Sequence, residues 1–321
     1  MSTVRRRLAR VPALRRARRY WASVRGGTSP AWLALLNLRR ISRDATTFND
    51  KILHKMGHDR RPILTQFADK SAVRRYVADR VGSDILTTVY ADTRDPSTID
   101  WDSLPPQYVA KATHGSGCVI IVSDAAPAEA ALPTGQRAWW SRYLIRPAAA
   151  DRDRVTALMM QWMRLRYDVR PGHLPEWCYR NIPPGVLIEE FLVDDDGNIP
   201  RDYKFFVFDG SVRFVQVESD RATGHKRDTF TPDWTLVAVT GNYPRSATPP
   251  QKPRNFDRML EVAATLGQGI DFVRVDLYSI GGRVLFGELT NYPEGGRVRL
   301  DPPSFDELWG TYWSLPTGRL R

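Results

Sequence analysis

Two pairs of apolar segments joined by tight-turn sequences constrain this chain more than any other feature. The pairs are residues 203–208 with 212–217, around Asp209-Gly210, and residues 272–278 with 284–289, around Gly281-Gly282. Asp-Gly and Gly-Gly readily adopt the positive φ angles that short hairpin turns need. We therefore expect two antiparallel hairpins in the C-terminal part of the chain.

Helices and further strands precede and separate these hairpins. Amphipathic spacing predicts helices over residues 69–82, 151–167 and 255–266, and apolar runs predict strands over residues 108–111, 118–122 and 186–192. A chain of 321 residues with 42% hydrophobic content can bury a sizeable core. The mixture predicts an α/β or α+β enzyme.

The net charge of +11 is concentrated in residues 1–43, which hold twelve arginines and no acid. The remainder holds 35 basic and 36 acidic residues and is close to neutral. Such an arm suits an anionic membrane surface, but a solvated arm with a docked helix explains it equally well. Nucleic acid is not expected as a partner, because basic and aromatic residues are not interleaved.

Compartment is predicted from what the sequence lacks. No apolar run approaches the eighteen or so residues of a membrane span, and Cys118 and Cys178 form no disulfide framework. We expect a cytoplasmic protein, with a peripheral position on the inner face of the cell membrane left open. His54 and His58 have helical spacing without a third ligand nearby, which indicates a surface pair.

A strand ending in Lys111 runs into the small-residue loop His114-Gly115-Ser116-Gly117. Glycines let backbone N–H groups approach phosphate oxygens, and a lysine adds a positive charge. The loop matches neither the Walker A nor the dinucleotide-binding pattern. A plain Gly-Ser-Gly hairpin turn is the alternative.

Charged residues also interrupt two apolar strands. Glu189 and Glu190 lie in the run 186–192, and Lys204 lies within 203–208. Buried charges are costly unless they are paired, so a nucleotide is one explanation for these residues. A half-exposed strand accounts for one of the glutamates, and an internal ion pair accounts for the lysine.

The most specific pattern is Arg274-Val275-Asp276 in one strand and Glu288 in the next. Two carboxylates opposed across a hairpin repel unless a cation lies between them. Mg²⁺ typically takes one or two carboxylates plus substrate phosphates, and a neighbouring arginine suits a phosphate or acyl-phosphate. An Arg–Asp–Glu structural bridge is the alternative.

The length of the hairpin loop decides whether these carboxylates meet. A loop of residues 281–283 sets Asp276 opposite Glu288. A loop of residues 281–282 sets Asp276 opposite Gly287 and turns Glu288 to the other face. The site hypothesis requires the three-residue loop, which we therefore expect.

In combination, these motifs resemble the TupA-like group of the ATP-grasp superfamily, which is associated with teichuronopeptide and capsule biosynthesis. The matching segments occur in the family's order over roughly residues 60–300; they are Asp69-Lys70, Val73-Arg74-Arg75-Tyr76-Val77, residues 111–117, Glu189-Glu190-Phe191, residues 202–206, Asp220-Arg221 with His225, Asp233-Trp234, Arg274-x-Asp276-x-Tyr278 and residues 286–290.

The resemblance implies an α+β ATP-grasp fold of three lobes, with ATP between two antiparallel sheets. The implied lobes are residues 44–107, a lid at 108–185, and an ATP- and magnesium-binding part at 186–321, after the arm at 1–43. The implied nucleotide contacts are Lys70, Lys111, His114, Gly115, Ser116, Gly117, Glu189, Glu190, Phe191, Leu192 and Lys204.

The resemblance also implies the catalytic and metal-binding residues. Arg274 and Lys204 take the catalytic positions, and Asp276 and Glu288 bind Mg²⁺. The third ligand stays open between Thr290 and Asn291. Arg221 and His225 are weaker candidates for contact with the acceptor substrate.

The predicted function is an ATP- and Mg²⁺-dependent ligase that joins a carboxylate to an amine through an acyl-phosphate, in the synthesis of a cell-surface polysaccharide or peptide polymer. One alternative is a nucleotide-sugar glycosyltransferase that holds its metal through Asp194 and Asp196. Another is a non-catalytic protein that binds membrane or nucleic acid through residues 1–43.

Overall fold

The computed structural model describes residues 44–133, 141–170, 173–220 and 224–316. The helices within these ranges are α1 (Phe48–His58), α2 (Pro62–Ala68), α3 (Ala72–Val81), α4 (Arg152–Trp162), α5 (Phe256–Gly267) and α6 (Ser304–Thr311). Short 3-10 turns occur at Pro96–Thr98, Trp101–Ser103, Pro147–Ala149, Trp177–Tyr179 and Pro293–Gly295. Residues 1–43 and Arg221 lie outside the described residues.

The strands are β1 (Val89–Thr93), β2 (Tyr108–Ala112), β3 (Val119–Val122), β4 (Arg142–Ile145), β5 (Val186–Glu190), β6 (Asp202–Phe208), β7 (Ser211–Ser219), β8 (Lys226–Phe230), β9 (Phe272–Ile280) and β10 (Arg283–Thr290). They form two five-stranded sheets, in the orders β1-β5-β2-β3-β4 and β10-β9-β6-β7-β8. Every pairing is antiparallel except that of β3 with β4. The α+β prediction with two largely antiparallel sheets is therefore confirmed.

Alternation along the strands gives the first sheet two different faces. Ala110 and Ala112 of β2 share a buried cluster with Trp162 of α4. Successive side chains point to opposite faces, so Lys111 lies on the face away from α4. The same argument places Glu189 of β5 on that face, because Ile188 belongs to the cluster.

The second sheet is apolar on one face and divided on the other. Phe205, Val207 and Val275 pack in one cluster with Met259 of α5. On the opposite face, Phe206 and its aromatic neighbours pack against α1 and α6. Charged side chains occupy the rest of that opposite face, and this division leaves a polar surface beside an aromatic core.

Both predicted hairpins form, but the second has a different loop from the one we expected. Arg283 pairs with Ile280, so the loop contains only Gly281 and Gly282, and the predicted three-residue loop is wrong. Pairing then shifts between Phe286 and Glu288, where a β-bulge absorbs one residue.

The bulge restores the register that the site hypothesis requires, since it sets Glu288 opposite Asp276. Gly287 sits at this point, and a Cβ there would lie 3.0 Å from the Asp276 carbonyl oxygen and 3.1 Å from the Tyr278 ring. The absence of a side chain at this residue thus permits the close approach of the two strands.

Two predicted elements end earlier than the sequence pattern suggested. The helix predicted over residues 151–167 stops at Trp162, after which Arg164 and Leu165 make i→i−3 bonds and the chain turns. The strand predicted over residues 186–192 stops at Glu190. Within the described part of the chain, no helix is long and apolar enough to cross a bilayer.

Candidate active site

A row of charged side chains crosses the polar face of the second sheet. Lys204 of β6 lies opposite Asp276 of β9, which in turn lies opposite Glu288 of β10. Lys204 Nζ is 2.6 Å from Asp276 Oδ2 and 2.5 Å from Asp202 Oδ2. Lys204, Asp202 and Asp276 are all buried, so these charges interact with little screening by water.

Arg274 joins the two carboxylates of the hairpin. Its Nε and Nη2 donate to the two oxygens of Asp276 at 2.7 and 2.6 Å, and Nη2 also donates to Glu288 Oε1 at 2.8 Å. We call Lys204, Arg274, Asp202, Asp276 and Glu288 the site network. Among the described residues it contains three carboxylates and two cations.

The two hairpin carboxylates have opposite pKa shifts. Burial raises the pKa of Asp276 to about 6, against the opposing effect of Arg274 and Lys204. Burial also acts against ionisation of Glu288, but Arg274, Lys204 and Lys70 outweigh it and lower the pKa to about 2. The half-exposed Glu288 side chain is therefore anionic at neutral pH.

The residues after Glu288 differ in where they lie. Thr290 is opposite Arg274, and its hydroxyl donates to Glu288 Oε1 at 2.8 Å. Asn291 is buried, and its Nδ2 donates to the Leu64 carbonyl of α2 at 2.8 Å. Of the two candidates for a third ligand, Thr290 is thus the one in direct contact with the site network.

The first sheet contributes a second polar group. Lys111 Nζ contacts Glu189 Oε1, and Thr87 Oγ1 donates to Glu189 Oε2 at 2.7 Å. Burial alone favours the neutral acid, but Lys111, Thr87 and Arg74 lower the pKa of Glu189. The lysine and the glutamate that we predicted as nucleotide contacts therefore lie together and pair with each other in the absence of a nucleotide.

Lys70 lies between the two sheets. Its Nζ donates to the Gly115 carbonyl of the small-residue loop. Burial lowers its pKa, Glu288 of the second sheet acts to raise it, and Lys111 of the first sheet lowers it further. Lys70 is therefore close enough to charged groups of both sheets for each to influence its pKa.

The remaining predicted nucleotide contacts are dispersed. His114 is buried with Nε2 3.1 Å from the Trp162 carbonyl, and Gly117 has a φ of 90° beside the exposed Ser116. At the C-terminal end of β5, the Glu190 side chain accepts a hydrogen bond from the Thr88 backbone N–H at 2.8 Å. Phe191 and Leu192 follow the end of β5 and are partly exposed. The structure thus brings His114 to α4 rather than to the site network.

Sequence reasoning did not select several polar side chains that adjoin the site network. Glu218 Oε2 is 3.9 Å from Lys204 Nζ and 3.4 Å from His225 Nε2, and Arg227 donates to Glu218 Oε1 at 3.0 Å. His225, one of the two proposed acceptor contacts, also stacks on Tyr243 at 3.6 Å between centroids. The alternation in β7, where Gln216 and Glu218 separate buried valines, was the available signal.

The acidic run 194–196 forms a turn after β5. Asp194 Oδ1 accepts from the backbone N–H groups of Asp196 and Asn198, at 3.1 and 2.8 Å. Asp195 accepts from Gly281 N in the second hairpin turn at 2.9 Å. These contacts are those of a loop that holds its own backbone together.

Metal-binding capacity follows from the donor set. Within the described ranges, no group of three or more His, Cys, Asp or Glu side chains is arranged to hold a metal ion. Asp276 and Glu288 supply two hard oxygen donors that face each other across the hairpin. Proteins usually bind Mg²⁺ through one or two carboxylates, and substrate phosphates complete the site. Asp276 and Glu288 therefore fit this ion.

Comparison with known proteins shows the family of the chain. A family model described as TupA-like ATPgrasp matches residues 50–314. A search of curated proteins finds no match. Structural similarity extends to D-alanine–D-alanine ligase from Bacillus anthracis, at 14% identity and a TM-score of 0.39, covering 73% of this chain and 60% of that chain.

Two further solved structures are similar at the same level. The ATP-grasp ligase PsnB with its minimal precursor has 11% identity and a TM-score of 0.38, covering 72% of this chain and 55% of that chain. The purK N5-carboxyaminoimidazole ribonucleotide synthetase, as its ADP complex, has 10% identity and a TM-score of 0.41, covering 82% and 58%. The chain spans less than two thirds of the length of each of the three proteins. On the strength of the family model, the chain belongs to the TupA-like ATP-grasp family.

Proposed function

We propose that this protein uses Mg·ATP to ligate a carboxylate to an amine. The observation that carries the proposal is the site network, in which Asp276 and Glu288 lie opposite each other and Arg274 bridges them. Its two facing carboxylates suit a divalent cation, and its two buried or partly buried cations suit phosphate oxygens. Membership in the family supports the same reaction class.

The reaction transfers the γ-phosphoryl group of ATP to a carboxylate oxygen of the first substrate, which releases ADP. The amine of the second substrate then attacks the acyl carbon, loses a proton and displaces inorganic phosphate, leaving an amide. Such a reaction depends on positioning and charge stabilisation rather than on an enzyme nucleophile. This agrees with Cys118, whose burial raises its thiol pKa to about 12 and keeps it protonated.

Each charged residue has a defined part in this proposal. Lys111 and Lys204 hold ATP phosphates, so each exchanges a protein carboxylate for a phosphate when the nucleotide binds. Arg274 stabilises the negative charge on the phosphoryl group in transfer. Asp276 and Glu288, with Thr290 as the adjoining oxygen, hold Mg²⁺, which neutralises phosphate charge.

A second group of residues, most of them in or next to β5, is proposed to bind the adenosine end of the nucleotide. Glu189, Glu190 and the segment Phe191-Leu192 are proposed to line the adenine and ribose site, with Lys70 and residues 114–117 on the phosphate side. The lobe boundaries at residues 44, 108 and 186 belong to the same proposal. In this scheme, ATP lies between the two sheets.

The biological setting is proposed from the family resemblance alone. We infer that the product belongs to a cell-surface polysaccharide or peptide polymer, and that the enzyme works in the cytoplasm. Residues 1–43 could bring it to the inner face of the membrane through their twelve arginines. The site network contains no residue of this arm, so catalysis in solution is expected without membrane.

A thermal-shift titration of the full-length chain tests the nucleotide part of the proposal. Mg·ATP at a hundredfold its Kd adds about 2.7 kcal/mol, which corresponds to about 5–10 °C at this size. Asp276→Asn is expected to remove most of the shift. Asp194→Asn, a matched acid-to-amide change in the acidic turn, is expected to keep it.

The same titration with Mg·UDP-sugars separates the glycosyltransferase alternative. A shift with the UDP-sugars but none with ATP, lost in Asp194→Asn and kept in Asp276→Asn, would reject the ligase. If ATP binding is confirmed, release of ADP that depends on an added carboxylate is the next measurement. Two outcomes argue against acyl-phosphate chemistry. One is ADP release that needs no carboxylate, and the other is no ADP release with any carboxylate that is tested.

A further inference from the structure

A second charged cluster, which contains Arg170, Arg297, His173 and Glu176, lies near the site network. Arg170 Nη2 and Arg297 Nη2 are each 3.3 Å from the same atom, His173 Nδ1. Guanidinium groups only donate hydrogen bonds, so this ring nitrogen accepts from both arginines and carries no proton. Burial, Arg170 and Arg297 lower the pKa of His173 to about 4, which agrees with a neutral ring.

Glu176 acts on both arginines, whereas Glu294, which also acts on Arg297, is paired with Arg227. Glu176 is buried, and its Oε1 is 3.4 Å from Arg170 Nη2, which is long for a charge-assisted hydrogen bond. Two guanidinium groups against one carboxylate leave a positive charge in excess. Within the described ranges, the buried Nε of Arg170 has no hydrogen-bond acceptor. The cluster therefore has both the charge and an available donor for an anion.

Contacts on one side connect this cluster to the nucleotide loop. The Arg170 guanidinium lies 3.8 Å from the centre of the Tyr167 ring, and Tyr167 hydrogen-bonds the side chain of Ser116. Tyr179, whose ring is 4.4 Å from that of Tyr167, feels the charge of Glu288. An anion between the arginines would thus lie beside the phosphate end of the proposed ATP site.

The segment after β10 brings Arg297 to the other side of this cluster. Glu294, Gly295 and Gly296 have φ angles of 48°, 59° and 72°, so three consecutive residues are left-handed and the chain reverses. Glu294 is held in this unfavourable conformation by Arg227, whose Nη1 donates to it at 2.9 Å. The reversal brings Arg297 back to His173. Backbone strain of this kind persists where the surrounding contacts fix it, and it is frequent at functional sites.

We propose that Arg170 and Arg297 form a clamp for the carboxylate of the amine substrate, so that the acceptor is an amino acid, a peptide or another amine that carries a carboxylate. This inference rests on the proposed ligase function. The carboxylate that is phosphorylated belongs at Arg274 and Lys204, so the clamp takes a different one. Glu176 supplies an acid for the ammonium group, which favours a zwitterion over a dicarboxylate.

Full-length protein with a Mg·ATP analogue that cannot transfer its γ-phosphoryl group tests the clamp. The probes are glycine, glycylglycine and triglycine, each compared with its own amide, which keeps the amine and removes the carboxylate. Carbon–hydrogen NMR correlations of the imidazole rings report binding, since the chain has only five histidines. His173→Gln assigns the resonance of His173.

At least one free acid, and none of the amides, is expected to shift the His173 resonance in a saturable way. Arg170→Met and Arg297→Met are each expected to weaken that binding by about tenfold or more. Lysine at either residue keeps the charge without the planar fork and is expected to recover part of the affinity. Arg258→Met, on the exposed surface of α5, is the matched control and leaves binding unchanged.

Equal shifts with acids and amides, no shift with any probe, or unchanged affinity in both methionine variants would overturn the clamp. Thermal stabilisation by Mg·ATP, measured on the same samples, shows that each variant is folded with an intact nucleotide site. If wild type itself gains no stability from Mg·ATP, the proposed ligase function fails. If Mg·ATP stabilises and the probes do not discriminate, only the clamp fails.

Discussion

Two charged networks are built around the same strand, and they differ in their balance of charge. The balanced network consists of Lys55, Asp59, Arg61 and Asp271, just before β9 begins. Lys55 Nζ is 2.8 Å from Asp271 Oδ1, Arg61 contacts both acids, and Trp313 Nε1 donates to Asp271 Oδ2 at 2.9 Å. The site network, five residues further along β9, has three acids and two cations.

The aspartates of the two networks show what this difference means. Burial opposes ionisation of both. At Asp271, Lys55 and Arg61 outweigh burial and lower the pKa, whereas burial prevails at Asp276 and raises the pKa to about 6. A buried network with equal charges is complete within the protein. At Asp276, where burial prevails, a further cation nearby would favour the charged form.

Asp271→Asn is the largest test of this comparison. It leaves Lys55 and Arg61 with one acid between them in a buried region, and we expect a loss of about 3–5 kcal/mol in the free energy of unfolding at pH 7. Because the folded pKa of Asp271 lies below its usual 3.8, this contribution is present above that pH and is lost as the pH falls through the folded value.

Urea denaturation at several pH values measures this loss. Asp257→Asn is the matched control, since that side chain is 87% exposed and pairs only with Lys252 at the surface. A loss below about 1 kcal/mol for Asp271→Asn, the range of a surface ion pair, would show that the balanced network contributes no more than exposed charges do.

Glu176→Gln tests whether burial also determines the pKa of the acid in the cluster of Arg170, Arg297, His173 and Glu176, which we call the arginine cluster. Burial raises the pKa of Glu176 from 4.5 to about 7, although Arg170 and Arg297 act to lower it. A raised folded pKa gives stability that is present below 4.5 and is lost as the pH rises through about 7. The wild type is therefore expected to lose about 3 kcal/mol, relative to the variant, between pH 4 and pH 8.

The measurement is the free energy of unfolding of both proteins across this pH range. Subtracting one curve from the other removes the groups that titrate in both. Glu261→Gln, at an exposed helical side chain, is expected to give a flat difference curve. If the wild type instead loses stability relative to Glu176→Gln as the pH falls, the two arginines hold Glu176 ionised in the folded protein.

Gly287→Ala tests the bulge that aligns the site network. A Cβ would meet the Asp276 carbonyl at 3.0 Å, so the strands must separate, at a cost of about 1–3 kcal/mol. Glu288 would move with them, and the stabilisation by Mg·ATP is expected to fall. Gly224→Ala, where a Cβ meets no atom of the described residues within 4 Å, is the control. Full Mg·ATP stabilisation in Gly287→Ala would show that the register of Glu288 is not needed.

Local sequence signals were sufficient to predict the hairpins and the central residues of the site. Turn residues such as Asp209-Gly210 act within a few residues, and alternation places Arg274 and Asp276 on one face whatever the rest of the chain does. The loop length was wrong, because no local signal distinguishes a three-residue loop from a two-residue loop followed by a bulge. The bulge depends on how closely Gly287 approaches the Asp276 carbonyl on the neighbouring strand.

Sequence patterns did not predict the arginine cluster, for a related reason. Arg170 and Arg297 are far apart in the chain, and neither lies in a strand or helix whose periodicity would place it. They meet because the chain turns after α4 and reverses through three left-handed residues after β10. Regular elements transmit local patterns to the fold, whereas irregular segments are positioned by their tertiary contacts.

Asp276→Asn gives the smallest expected effect and is the counterpart of Asp271→Asn. The substitution keeps the volume and one oxygen acceptor, Lys204 retains Asp202 at 2.5 Å, and Arg274 retains Glu288 at 2.8 Å. Each of the two cations therefore keeps an acid partner. We expect the ligand-free protein to change by less than about 1 kcal/mol, in either direction, when unfolding is measured in urea without Mg²⁺.

The pair of aspartate variants separates structure from function within one strand. If Asp276→Asn costs as much as Asp271→Asn in the absence of ligand, the site network is a structural ion cluster and Asp276 is a core residue. If Asp271→Asn is severely destabilised while Asp276→Asn is not, the Asp276 carboxylate brings no benefit to the ligand-free fold. Its cost is then repaid only when a cation binds, which is the behaviour expected of a metal ligand rather than of a core residue.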